Sequence, residues 1–183
     1  KTNGTRVIEA PKDALKSIQR QILRGILDKL PTHADAFGFV AGRNCVQAAN
    51  RHVGEDVVIS FDLKTFFPSI GAGRIYGLFR CLGYPHSVAR HLTSLCTTST
   101  PPRILRRLSF ADRVPYKAPH LPQGAPSSPA LANHVSFALD RRLSSLARSL
   151  DAGYSRYADD LSFSGGRRIV HALLKTVPEI IRD

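Results

Sequence analysis

The sequence predicts an α+β fold. Several runs carry apolar residues at three- and four-residue steps, the mark of helices buried on one face. Others, such as 57–62, alternate as half-buried strands do. The two kinds follow one another without the regular alternation of a doubly wound sheet. With 183 residues, 43% of them hydrophobic, the chain is the size of one ordinary domain and can bury a core.

Taken in order, residues 6–10 read as a short strand. Pro11 then opens a helix, its fixed φ suiting the first turn. Leu15, Ile18, Ile22, Leu23, Ile26, Leu27 and Leu30 give that helix one apolar face, and Pro31 ends it. In the strand 57–62, Val57, Ile59 and Phe61 point one way and Val58, Ser60 and Asp62 the other. Residues 74–82 read as a helix stopped by Gly83. Val88, Leu92 and Leu95 mark another. Leu131, Val135, Leu139, Leu143, Leu146 and Leu150 mark one long helix, followed by Gly153. Residues 154–164 read as two short strands around Asp159-Asp160, and 168–182 as a final helix.

Lys plus Arg number 26 against 14 Asp plus Glu, a net charge of +12. Such a surplus attracts a polyanion by counterion release, although it also serves solubility. Arg103, Arg106 and Arg107, Arg141 and Arg142, and Arg167 and Arg168 are spread along the chain. That spread suits several elements lining one channel better than a basic tail. No apolar run approaches the roughly 20 residues that span a bilayer. No signal-peptide core follows Lys1-Thr2-Asn3-Gly4. Cys45, Cys81 and Cys96 form no CxxC pair, so reduced thiols in a cytoplasm are expected, without chemistry of their own. The chain has no Met, which suggests a piece of a longer protein.

Acidic residues are scarce, so their placement is informative. Asp159 and Asp160 sit side by side at a hairpin tip, flanked by Tyr154, Tyr157, Leu161 and Phe163. Adjacent carboxylates repel unless a positive charge joins them, and a hairpin that presents both suits a hard divalent cation. An ordinary Asp-rich turn is the plainer reading of the pair alone. Asp62 changes the balance, because it ends an apolar strand where an unpaired carboxylate is costly. Two strands ending in carboxylates within one basic chain suggest a two-metal site. One Mg²⁺ would activate a hydroxyl and the other would hold a triphosphate, the equipment of nucleotidyl transfer. A third element, 121–129, leads into the long helix. Gly124 there allows close backbone approach, small residues leave room for a ligand, and Ser127 or Ser128 is placed to cap the helix.

These three elements together resemble the reverse transcriptase family. Tyr157-Ala158-Asp159-Asp160 is similar to its YxDD motif, and Asp62 with Phe66-Phe67 to its first catalytic motif. Gln123-Gly124-Ala125-Pro126-Ser127-Ser128-Pro129 is similar to its QGxxxSP motif. The N-terminal stretch around Arg6-Val7-Ile8 and the block Phe37-Gly38-Phe39-Val40-Ala41-Gly42-Arg43 also resemble family segments. Within the family the sequence is most similar to bacterial retron enzymes. It departs from their NAxxH segment, reading Ala48-Ala49-Asn50-Arg51-His52.

The resemblance implies a right-hand polymerase, with an antiparallel palm sheet packed on helices. Residues 1–56 would be mainly fingers, 57–75 palm, 76–120 an insertion between fingers and palm, and 121–183 palm, with the thumb outside the chain. It implies that Asp62, Asp159 and Asp160 are catalytic and, with the Leu63 carbonyl, bind two Mg²⁺ ions, or Mn²⁺ in their place. Phe67 would be the aromatic gate against a 2′-hydroxyl, while Phe66 suits a core. Gln123, Ala125 and Pro126 would line the nucleotide pocket, and Arg6 and Lys1 would hold the triphosphate. Tyr157 would lie beneath the metals or touch the primer, and His52 would be a structural hydrogen-bonding residue. The implied partners are an RNA template and primer, dNTPs, the DNA product and a dedicated structured RNA. A group II intron-like or defence-associated reverse transcriptase, and a polymerase-derived RNA-binding module, are the alternatives.

Overall fold

In the computed structural model of the chain, residues 7–182 are described. The elements are α1 (Asp13–Gly25), a 3-10 turn at Leu27–Lys29, α2 (Cys45–Asn50), β1 (Val57–Asp62), α3 (Phe66–Ser69), α4 (Ala72–Cys81) and α5 (His86–Cys96). They continue with α6 (Pro102–Leu105), α7 (Phe110–Arg113), a 3-10 turn at Val114–Tyr116, α8 (Ser128–Val135), α9 (Phe137–Ser149), β2 (Gly153–Tyr157), β3 (Asp160–Gly165) and α10 (Ile169–Arg182). This is an α+β fold with one antiparallel sheet in the order β1-β3-β2. Among the described residues no helix is long and apolar enough to cross a membrane. The chain divides into two compact units. One takes the residues up to Leu30 and Thr65–Val135, the other Pro31–Lys64 and the residues from Ser136 onward.

In the first unit α4 packs on α5 and α8, and α1 packs on α5. Ile75, Phe79, Ala89, Cys96, Leu121 and Leu131 are fully buried there. Gly83 stops α4 as expected, at φ +89° with its N–H on the Arg80 carbonyl. The first helix is shorter than its apolar pattern. It ends at Gly25, a poor helix former, and the chain tightens into the 3-10 turn before Pro31.

The strand expected at 6–10 is not found over the described residues 7–10. The segment instead docks through Glu9 on a loop. The Glu9 N–H donates to the Gln123 carbonyl at 2.8 Å. Its carboxylate accepts from the Thr100 hydroxyl at 2.5 Å and meets His120 Nε2 at 2.9 Å. His120 is buried, and its Nδ1 bonds the Ala118 carbonyl. Burial opposes charge on both groups, yet the hydrogen bonds and opposite charges win. The carboxyl is held below its ordinary 4.5 and the imidazole above its ordinary 6.5. The lowered acid adds stability above pH 4.5 that is lost as pH falls through its folded value. The raised histidine adds stability below pH 6.5 that is lost as pH rises through its folded value. Glu9→Gln should therefore destabilise most between these limits, by about 1–3 kcal/mol, and less at alkaline and strongly acid pH. Urea unfolding across pH checks this; a pH-independent difference would refute the pairing.

In the second unit the sheet turns one face to α9 and α10. Leu143, Ala147, Tyr154, Leu161, Phe163, Ile169, Leu173 and Val177 form that core. As the alternation predicts, Ile59 and Phe61 pack against it while Val58, Ser60 and Asp62 are exposed. The long helix expected across 131–150 is broken at Ser136, where the chain passes from one unit to the other. The two halves of the apolar run serve different cores, Leu131 in the first unit and Leu143 and Ala147 in the second.

Candidate active site

The polar face of the sheet is built by register. Ser60 lies opposite Ser162 and Asp62 opposite Asp160 across β1 and β3. On the other side of β3, Ser155 lies beside Ser162 and Tyr157 beside Asp160. α2 covers part of this face. Its start is fixed by a capping box, with Asn44 and Gln47 side chains each accepting the other's backbone N–H at 2.9 Å. Just beyond α2, His52 bonds Ser164 Oγ and Ser155 Oγ, each at 2.7 Å, so it ties β3 to β2. Burial and then the Arg51 charge hold its pKa below the ordinary value, which suits a neutral ring that donates to one serine and accepts from the other. A cavity of about 340 Å³ opens between α2 and the sheet, lined by Cys45, His52, Ser155, Tyr157 and Asp160 among others. Tyr157 is partly exposed there.

Two residues, Ala158 and Asp159, join β2 to β3. Ala158 sits at φ +57°, as the tight turns of hairpins require, at some cost for a residue with a Cβ. The Leu63 N–H donates to the Asp159 carbonyl at 2.9 Å. One hydrogen bond thus ties the residue after Asp62 to the turn that carries the other two carboxylates. From the opposite side Gly38 lies so close that a Cβ there would stand 2.4 Å from the Ala158 nitrogen. The loop before it is held by Arg43, which donates to the carbonyls of His33 and Ala36 at 2.6 Å.

The site is therefore acidic and crowded. Burial, then Asp159, then Asp62 push the Asp160 carboxyl above its ordinary value. Among the described residues no three His, Cys, Asp or Glu side chains are gathered into a complete metal cage. The donor chemistry nevertheless fits a small hard cation, which takes one or two carboxylates and completes its shell with water and phosphate oxygens.

Of the residues read from the sequence, Asp62, Leu63, Asp159 and Asp160 come together in the second unit. Phe67, Gln123, Ala125 and Pro126 belong to the first. Phe67 is half-buried on α3, its ring 5.5 Å from that of the buried Phe66. The Gln123 carbonyl holds Glu9, and Gly124 at φ +122° lets Ile8 and Ala10 pack against the loop. Lys1 and Arg6 lie outside the described residues. The expected serine cap of α8 is not formed: neither the Ser127 nor the Ser128 hydroxyl has a nitrogen or oxygen partner among the described residues. Cys96 is buried, which pushes its thiol up to about 11 despite the Ser127 hydroxyl, while Cys45 and Cys81 are exposed and free. Arg103, Arg106 and Arg107 are exposed on the first unit, and Arg141, Arg142, Arg167 and Arg168 on the second.

The sequence reading did not single out Gly38 as a contact of the turn, nor the serine partners of His52. A glycine two residues before Val40 in a turn-rich stretch gave a weak signal for the first. The serines at alternate positions of 60, 155, 162 and 164 gave one for the second.

A strand-end carboxylate thus stands opposite a two-carboxylate hairpin on an exposed polar sheet face, an arrangement whose donor chemistry suits a divalent cation. The reverse transcriptase (RNA-dependent DNA polymerase) family matches residues 1–183, and the chain belongs to that family. It is 46% identical over 166 residues to the Retron Mx65 reverse transcriptase of Myxococcus xanthus, covering 90% of this chain and 38% of that protein. It is 43% identical over 159 residues to the Retron Mx162 reverse transcriptase of the same organism, covering 87% and 33%. It is 38% identical over 159 residues to the Retron Ec86 reverse transcriptase of Escherichia coli, covering 87% and 44%. The chain thus spans less than half the length of these relatives. Reverse transcriptases as a family use divalent metals.

Proposed function

We propose that the protein is an RNA-directed DNA polymerase of retron type, copying a structured RNA into DNA by two-metal nucleotidyl transfer. The observation that carries this reading is the register that sets Asp62 opposite Asp160 and ties Leu63 to Asp159, in a chain of this family. The sheet with α9 and α10 would be part of the palm, and helices of the first unit would contribute fingers. Asp62, Asp159, Asp160 and the Leu63 carbonyl would hold two Mg²⁺ ions. Bound there, the ions would make the attacking hydroxyl a better nucleophile and neutralise charge on the triphosphate. The chain's own residues supply positioning. Ser60 and Ser162, on the open part of the sheet face, would give the nucleic acid an uncharged hydroxyl floor beside the carboxylates. Gln123, Ala125 and Pro126 would line the nucleotide pocket, and the exposed arginines would hold phosphates.

Phe67 would stand under the incoming sugar, where a rigid ring clashes with a 2′-hydroxyl. The test is primer extension on an RNA template by the full-length protein with dNTPs or rNTPs and Mg²⁺. The wild type should extend with dNTPs, and Phe67→Ala should raise rNTP use relative to dNTP by about tenfold or more, the scale of one lost steric contact. No extension by the wild type would refute the reading. Unchanged sugar preference would return Phe67 to the core.

A further inference from the structure

Arg156 is the largest fully buried side chain among the described residues, and it belongs to the strand that leads into the carboxylate turn. Its Nε donates to Asp140 Oδ1 at 2.7 Å and its Nη2 to Oδ2 at 2.7 Å, a two-pronged pair with both partners at 0% exposure. Asp140 comes from the first turn of α9 and also accepts the Tyr154 hydroxyl at 2.8 Å. The third prong, Nη1, donates to the Ala158 carbonyl at 3.0 Å. The Arg156 backbone is fixed as well, its N–H on the Asp35 carbonyl and its carbonyl on the Phe37 N–H, both at 2.8 Å.

The Ala158 carbonyl and the Asp159 N–H share one rigid peptide plane. A guanidinium that holds that carbonyl fixes the orientation of the plane from which Asp159 projects. The next peptide is fixed from the other side by the Leu63 N–H on the Asp159 carbonyl. Asp159 is thus gripped at both flanking peptides, one grip leading to α9 and the other to β1. Stability alone gives little reason for such an arrangement, since a buried ion pair is often matched or bettered by apolar side chains of the same volume. Burial alone would lower the Arg156 pKa, but the hydrogen bonds and charge of Asp140 keep it raised, so the grip stays charged at any working pH.

We infer that Arg156 and Asp140 are positioning residues, a buried fork that orients the 158–159 peptide and so aims the Asp159 carboxylate at the reacting centre. The inference rests on the reading of Asp159 as catalytic. It assigns a role to two side chains that touch neither nucleotide nor nucleic acid.

The test compares Arg156→Met, Asp140→Leu and the double variant in the full-length protein. Each is read by melting temperature, by kcat and KM for dNTP on a primed RNA template, and by Mn²⁺ affinity from calorimetry. Each single variant strands a buried group and should melt lower. The double variant should recover a melting temperature near the wild type. Its kcat should nonetheless stay down by about 10²-fold, as for a catalytic group displaced by an ångström, with KM within about threefold. Recovery of kcat together with melting temperature in the double variant would overturn the inference. If the double variant does not fold, Arg156→Lys decides, since a single ammonium cannot serve both Asp140 oxygens and the Ala158 carbonyl. A folded Arg156→Lys with wild-type kcat would overturn the inference equally. If the wild type extends no primer, the polymerase reading fails by itself. Mn²⁺ affinity then decides: weakening toward the Asp159→Asn level supports the fork, and wild-type affinity overturns it.

Discussion

Full-length protein carrying Asp159→Asn should lose dNTP incorporation on a primed RNA template by about 10³-fold or more, since one metal-binding carboxylate carries several kcal/mol of transition-state stabilisation. RNA binding should change little. The exposed arginines at 103, 106, 107, 141, 142, 167 and 168 are separate from the turn in sequence, and on the proposed reading they would set the salt-dependent part of affinity. The substitution keeps the size of the side chain, so the hairpin and its bond to Leu63 should survive. Extension rates and RNA affinity measured on one preparation separate the two effects. Robust synthesis by this variant would place the chemistry elsewhere in the protein.

Gly38→Ala should be nearly as damaging, although residue 38 carries no chemistry. A methyl group there would meet the Ala158 backbone nitrogen at 2.4 Å, with the Tyr157 carbonyl carbon at 3.1 Å. Both are main-chain atoms, so no side chain can swing aside. Either the loop at 35–38 backs away or the turn holding Asp159 moves. We expect about 1–3 kcal/mol of destabilisation from overpacking and about 10²-fold lower kcat from the displaced carboxylate. Urea unfolding and steady-state kinetics measure the two separately. Wild-type values in both would show that the loop yields freely.

The strand 57–62 and its facing pattern were legible because alternation is local and one face is buried. The acidic residues were legible because carboxylates are rare in this chain and cluster at two strand ends. The break at Ser136 was not, since the apolar period continues through it; only the division of the cores separates α8 from α9. Asp140 was hidden in a similar way. It lies on the buried stripe with Leu143 and Ala147, one position beyond the Leu139 that the pattern favours. An acid on an apolar stripe and an Arg alternating with buried Tyr154 each need a partner, but the pairing is a tertiary fact. Glu9 and His120 are 111 residues apart, beyond any spacing argument.

The pairing of Asp62 with Asp160 also bears on how the protein is made. The β2–β3 hairpin closes over two residues and can form in about 1–10 μs. β1 is synthesised about a hundred residues before its partner and can join only after that long loop closes. Non-local pairings of this kind come late in folding. A nascent chain that has exposed β1 holds one carboxylate, and the isolated hairpin holds the other two. The three carboxylates therefore come together only with that last strand pairing, so on the proposed reading a half-folded chain, already rich in positive charge, would hold RNA before its metal site exists.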